Sequence, residues 1–225
     1  MIVVQIADSY IVAANKCGSS SLSSWGNLKH CYIQDVPKSS TFWKIPVFSI
    51  WRSSYDRMLS GLSQGIEMEA KKQYLTEIGL TDEQDPRGYS AYQLKHYDQQ
   101  YLKDFRHRIL AEWCHQPSFT ESIPIRDHTT LWSDTKLFRH PMLDDIQWIH
   151  ISQLKLIPAM LDRKFNIQVP GIPYSNVGVD SVFRIPVWRI EAEMVKNKEA
   201  YEMFMDRVLS DWSPKIENML DINDL

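Results

Sequence analysis

The chain lacks the patterns that mark several classes of protein. Its three cysteines, Cys17, Cys31 and Cys114, show neither metal-ligand spacing nor a disulfide framework, which favours a reducing compartment. It contains no run of about 18 apolar residues, so we expect no membrane span. It also has no charged leader with a cleavage site, so we expect no signal peptide and a cytoplasmic location.

The chain has no excess of basic charge either. Its 25 Lys and Arg residues stand against 28 Asp and Glu residues, which gives a formal net charge of −3. We therefore expect no broad nucleic-acid surface, although a local basic pocket is compatible with this balance. The 225 residues are 44% hydrophobic and 24% charged, which is typical of a globular protein. We predict a single domain over residues 1–225, because this length suffices for one sizeable core.

Two stretches predict a strand, a turn and a helix in succession. In the first, apolar runs at 2–6 and 10–14 predict strands, and Leu22, Trp25 and Leu28 predict a short helix over 22–29. In the second, residues 45–51 predict a buried strand and residues 55–66 a helix. Ser54 is a candidate N-cap of that helix. Phosphate loops are built on such units.

The rest of the chain continues the alternation of strands and helices. A helix is predicted around an aromatic repeat, a strand over 146–151, a helix from Pro158 to Phe165, and a final amphipathic helix over 188–212. The members of the repeat are Tyr97, Tyr101, Phe105 and Ile109. The pattern predicts an α/β fold, P-loop-like and three-layered, with a central parallel sheet flanked by helices.

The segment from Asn15 to Leu22 has the chemistry of a phosphate-binding loop. A helix N-terminus supplies unpaired N–H groups and roughly half a positive charge. Gly18 removes a side chain that would hold an anion away from the backbone, and Lys16 adds a full charge. The hydroxyl donors are Ser19, Ser20 and Ser21. A serine-rich turn that only caps a helix has the same composition, so both interpretations stay open.

The position of the lysine argues against an ordinary ATPase or kinase. The ATP-type loop has its lysine after the second glycine and before Ser or Thr, whereas Lys16 precedes the only glycine of this loop, Gly18. In the second unit, Arg52 follows a strand, at the sheet edge where ligands bind in open α/β proteins. Arg57 and Ser60 share a helix face, and Arg52 with Ser60 is a candidate grip on a second phosphate.

Both segments resemble motifs of the sulfotransferases that use 3′-phosphoadenosine 5′-phosphosulfate (PAPS). Residues Lys16–Leu22, KCGSSSL, resemble the 5′-phosphosulfate loop, K-x-G-S/T-T/S-x-L. Residues Arg52–Ser60, RSSYDRMLS, are similar to the 3′-phosphate motif, R-x-P-x-x-R-x-x-S, with Ser54 in the place of proline. That departure changes the stiffness of the turn more than the ligand chemistry. The similarity is closest to the carbohydrate branch, whose Golgi members act on glycans.

The resemblance implies PAPS as the sulfuryl donor and no metal. It implies that Arg52 and Ser60 hold the 3′-phosphate and that Asn176 approaches the nucleotide. Strand 146–151 and the following Ser152-Gln153-Leu154 lie where the family has a strand and a Glu-x-Leu segment. The residues assigned to the 5′ end of the donor are Lys16, Cys17, Gly18, Ser19, Ser20, Ser21 and Leu22.

Sulfuryl transfer also needs a base that takes the proton of the acceptor hydroxyl or amine. His128 is the candidate, because Asp127 precedes it and it follows a stretch similar to one that leads to a histidine in the family. Glu67 and Glu69 are further candidates, whereas His150 reads as a core residue. We expect a small-molecule or glycan acceptor. The alternatives are a catalytically silent nucleotide-binding protein and a nucleotide-dependent kinase.

Overall fold

The computed structural model describes two compact units. The first comprises Met1–Arg57, Leu131–Val177 and Asp211–Leu225, and the second Met58–Thr130 and Gly178–Ser210. The prediction of one domain over 1–225 stays a prediction. The described residues are 1–6, 9–14, 16–26, 28–44, 47–77, 99–114, 131–132, 136–141, 143–173 and 185–222.

A six-stranded sheet is the centre of the first unit, with the order β3-β1-β2-β4-β5-β6. Strand β1 pairs antiparallel with β2 and β3, whereas the pairs β2–β4, β4–β5 and β5–β6 are parallel. The strands are β1 Ile2–Ile6, β2 Ser9–Ala13, β3 His30–Tyr32, β4 Val47–Trp51, β5 Gln147–His150 and β6 Met219–Leu220. The predicted α/β class is confirmed, and the sheet is mixed rather than purely parallel.

The predicted strands are those that lie in the core. In β2 and β4 nearly every residue is buried, which explains why they appear in the sequence as continuous apolar runs. The sequence did not predict β3 or β6. The first is an edge strand of three exposed residues and the second has two residues, so neither carries an apolar pattern.

Two short helices accompany the sheet. Helix α1 spans Ser19–Ser23 and not the predicted 22–29, because the Trp25 N–H turns back to the Leu22 carbonyl at 3.2 Å and Gly26 takes a φ of 55°. The indole N–H of the Trp25 side chain donates to the Pro170 carbonyl at 2.7 Å, which anchors the buried ring. The predicted helix after Leu156 is present at Ile157–Phe165, with a proline in its first turn.

The second unit is helical in its described part. Helix α2, Ser54–Glu77, begins in the first unit and continues here, and α3 is Gln99–Cys114. With Ile157–Phe165 as α4, the last two helices are α5, Val187–Lys196, and α6, Lys198–Ser210. Helix α3 packs against α5, and α5 against α6. Phe105, from the predicted aromatic stripe, is buried, whereas Tyr97 lies outside the described residues.

The single helix predicted over 188–212 is wrong, because the chain breaks at Asn197. This residue has φ −107° and ψ 96°, and its side-chain oxygen accepts the Ala200 N–H at 3.2 Å. Asparagine is favoured at an N-cap because its side chain satisfies one of the free amides of the first turn. Asn197 therefore ends α5 and starts α6.

Candidate functional site

The carboxyl ends of three parallel strands lie side by side at one edge of the sheet. Ala13 at the end of β2 is opposite Ile50 in β4, and Trp51 at the end of β4 is opposite His150 at the end of β5. The segment Lys16–Gly18 follows β2, and Arg52 follows β4. This is the edge at which open α/β sheets bind ligands.

The loop after β2 is a tight turn with two residues in the left-handed region. Lys16 has φ 64° and Gly18 has φ 79°. The Cys17 N–H donates to the Ala14 carbonyl at 3.1 Å, and the Leu22 N–H donates to the Gly18 carbonyl at 3.0 Å. The predicted succession of strand, turn and helix is present, and α1 begins directly after Gly18.

Gly18 lies close to the segment that follows β5. A side chain at this position would place its Cβ 3.0 Å from Cδ2 of Leu154. Leu154 belongs to the 3-10 helix Ile151–Leu156, which follows β5. The φ of 79° favours glycine here, and a Cβ would require the Leu154 side chain to shift by a few tenths of an ångström. The role of Gly18 in letting an anion near the backbone stays a prediction.

The other loop residues divide into an inner and an outer set. Ser21 is 6% exposed and Leu22 is 1% exposed, so both point into the unit. Lys16 and Ser19 are half-buried, which leaves part of each at the surface. Of Ser20 only the backbone is described, and Asn15 lies outside the described residues.

Cys17 is a buried thiol and not a nucleophile. Burial raises its pKa to about 12, against the opposing effects of the Arg57 and Arg52 charges. The thiolate is the reactive form of cysteine, so this group is unreactive near neutral pH. The packing of Cys17 supports the loop from within.

Arg52 brings the two predicted anion-binding segments together. Its Nη1 donates to the carbonyl oxygen of Lys16 at 3.3 Å. Arg52 is half-buried and directly follows β4, beside the loop that follows β2. Ser60 lies on α2 in the second unit and is half-buried, and its action together with Arg52 stays a prediction.

The helix after Arg52 is capped by Ser53, and not by Ser54 as the sequence suggested. The Ser53 hydroxyl accepts the Asp56 N–H at 3.1 Å and donates to the Asp56 carboxylate at 2.7 Å. The first of these bonds is that of an N-cap, and the second holds the Ser53 hydroxyl in place. The Ser54 hydroxyl is thereby left to make a different bond, to Asp211 at 2.7 Å.

Sequence reasoning missed Asp211, which forms a buried ion pair with Arg57. The Arg57 Nη2 donates to the Asp211 carboxylate at 2.7 Å, and the two side chains are 2% and 0% exposed. The two residues are 154 positions apart. An acidic residue after an amphipathic helix carries no local signal for such a pairing.

His150 lies at the carboxyl end of β5, half-buried and not in the core as the sequence suggested. Its Nδ1 accepts the Ser152 N–H at 3.3 Å and contacts the Ser152 hydroxyl at 2.8 Å. The bond from the Ser152 N–H fits a neutral ring that carries its proton on Nε2. The assignment of the base to His128 stays a prediction.

The remaining predicted residues are not described. His128 and Asn176 lie outside the described residues, and of Glu67 and Glu69 only the backbone is described, in α2. Among the described side chains, no group of three or more His, Cys, Asp or Glu residues is arranged to hold a metal ion. No helix in the described part of the chain combines the length and apolar character needed to cross a membrane.

Comparisons with known proteins assign the chain to no family. No protein-family model matches the chain, and neither the curated proteins nor the solved structures contain a significant match. The resemblance to sulfotransferases therefore stays an expectation that rests on the two sequence motifs.

Proposed function

We propose that the chain is a nucleotide-binding α/β protein whose ligand carries phosphate groups at two positions. The observation that supports this most directly is the contact between the two motifs, in which the Arg52 guanidinium donates to the Lys16 carbonyl at 3.3 Å. Because β2 and β4 are adjacent and parallel, both motifs lie at one edge of one sheet. A P-loop-like, three-layered arrangement around this sheet is part of the proposal.

Within that class, we propose a PAPS-dependent sulfotransferase. Lys16 precedes Gly18, unlike the lysine of ATP-type loops, and Arg52 supplies a second anion anchor. A donor with a 5′-phosphosulfate and a 3′-phosphate fits two such anchors. The acceptor is a hydroxyl or amine on a small molecule or glycan.

The proposed reaction is an in-line transfer. The acceptor oxygen or nitrogen forms a bond to sulfur while the bond between sulfur and the 5′-phosphate oxygen breaks, which releases adenosine 3′,5′-bisphosphate. The base, for which His128 is the candidate, takes the acceptor proton. Lys16 and the backbone amides at the start of α1 would face the negative charge that grows on the leaving phosphate.

The test is a calorimetric titration with adenosine 3′,5′-bisphosphate and, in parallel, with ATP. We expect micromolar binding of the bisphosphate and no preference for ATP. Lys16→Ala should weaken bisphosphate binding about tenfold or more, because a charge-assisted hydrogen bond is lost. Lys38→Ala is the matched control, since Lys38 is an exposed lysine in a turn.

Binding of neither ligand would refute the proposal, and a clear preference for ATP would favour the kinase. Bisphosphate binding without transfer from PAPS to any of a panel of hydroxyl and amine acceptors would favour the silent nucleotide-binding protein. Where transfer is measured, activity that survives in His128→Ala would remove His128 as the base.

A further inference from the structure

Asp211, which belongs to neither motif, is the centre of a buried hydrogen-bond cluster. One carboxylate oxygen accepts the Ser54 hydroxyl and Arg57 Nη2, each at 2.7 Å. The other oxygen accepts the backbone N–H groups of Trp132 at 2.6 Å and Trp212 at 2.9 Å. The carboxylate thus has four donors, and its side chain is 0% exposed.

Two of these donors lie on the first turn of α2. They are Ser54, which is the first residue of that helix, and Arg57. Arg52 precedes Ser54 by two positions. The direction in which the chain leaves β4 is therefore tied to Asp211 as well as to the Ser53 cap. An arginine that binds a phosphate benefits from a fixed backbone position, because its side chain is long and rotatable.

The same cluster lies near the loop after β2. The Arg57, Arg52 and Asp211 charges all affect the pKa of the Cys17 thiol. Arg52 itself donates to the Lys16 carbonyl at 3.3 Å. Cys17 is fully buried and lies between Lys16 and Gly18. The loop and the Arg52 turn therefore share one buried support.

A buried ion pair gives little net stability, since the cost of removing two charges from water offsets much of their attraction. A carboxylate with four donors does, however, hold their positions relative to one another. The Arg57 guanidinium also lies over the Trp132 ring, 5.3 Å from its centroid, which fixes the arginine from a second side.

We propose that Asp211 is a positioning residue that holds Arg52 at a fixed distance from the Lys16 loop through Ser54 and Arg57. This inference rests on the proposed function, because it concerns how the two phosphate anchors are spaced. The same role accounts for serine at the position where the 3′-phosphate motif has proline. The Ser54 hydroxyl bonds to Asp211, whereas a proline would fix the turn through its ring.

The experiment compares two ligands that differ only in the 3′-phosphate. Dissociation constants for adenosine 5′-phosphate and adenosine 3′,5′-bisphosphate are measured by calorimetry in the wild type, Ser54→Ala and Asp211→Asn. The ratio of the first constant to the second reports the contribution of the 3′-phosphate. We expect this ratio to fall about tenfold in both variants, while binding of the monophosphate changes less than twofold.

Matched controls separate positioning from general stability. Ser39→Ala and Asp206→Asn change exposed residues of the same types, and both should keep the wild-type ratio. Melting temperatures are recorded for every variant, and titrations are run well below them. Ser54→Ala keeps the test decisive if Asp211→Asn fails to fold, because it removes a single hydroxyl and leaves the ion pair intact.

A wild-type ratio retained in Ser54→Ala, with only a lower melting temperature, would show that the cluster is structural and overturn the proposal. A wild-type protein that binds the two ligands equally would instead contradict the assignment of Arg52, and the positioning role would fall with it. The two failures are distinguished by the wild-type titration alone.

Discussion

Three consecutive residues after β2 are fixed by different physical requirements. Lys16 adopts φ 64°, a conformation that costs a lysine about 1–2 kcal/mol and that the surrounding turn must enforce. Cys17 is held by burial, and Gly18 by its φ and its contact with Leu154. Such strained positions cluster at functional sites, where surrounding contacts hold them.

Gly18→Ala should destabilise the protein, because an alanine meets both the left-handed backbone and the Leu154 methyl group. We expect a loss of about 1–2 kcal/mol in the free energy of unfolding, measured by urea denaturation. Gly171→Ala is the control, since nothing lies within 4 Å of a Cβ there. Equal stability of the two variants would contradict the close packing of the loop.

Cys17 should make the stability of the protein depend on pH in the alkaline range. Its folded pKa, about 12, lies above the unfolded value of 9.0, so the thiol contributes stability in full below pH 9. Above pH 9 the unfolded chain ionises first, and stability is lost at up to about 1.4 kcal/mol per pH unit until the folded pKa is reached.

The measurement is urea unfolding of the wild type and of Cys17→Ala between pH 7 and 10.5. The wild type should lose more stability than the variant above pH 9, because the other titrating groups are common to both. Parallel curves would show that Cys17 is not buried as a neutral thiol.

At the scale of elements, capping residues decided the boundaries that apolar periodicity did not. Ser53 starts α2 through its reciprocal bonds with Asp56, and Asn197 divides two helices whose apolar residues continue across the break. Periodicity measures which face is buried, whereas a cap depends on the backbone conformation of one residue. The sequence therefore located these helices better than it located their ends.

Asn197→Ala should weaken the start of α6 by about 1 kcal/mol, because the Ala200 amide loses its acceptor. The expected result is faster hydrogen exchange at the Ala200 amide and a lower free energy of unfolding. Asn197→Ser is the matched control, since serine also accepts from the first turn. Unchanged exchange in the alanine variant would mean that Asn197 is not the cap.

At the scale of the whole chain, the two motifs meet because the strands that carry them are neighbours. The pairing of β2 with β4 puts Lys16 and Arg52 at one sheet edge, although they are 36 positions apart. The segment after β5 then reaches the loop at Gly18. Contacts between residues far apart in the sequence therefore bring the two local strand–turn–helix units together at the candidate site.

The sequence by itself determined the α/β class, the four core strands, and the strand–turn–helix unit at Lys16–Leu22. These follow from local periodicity and turn chemistry, which act over a few residues. Only the tertiary structure decided the strand order, the contact between Arg52 and the loop, and the pairing of Arg57 with Asp211. Those depend on which distant surfaces exclude water together, and no local pattern records that choice.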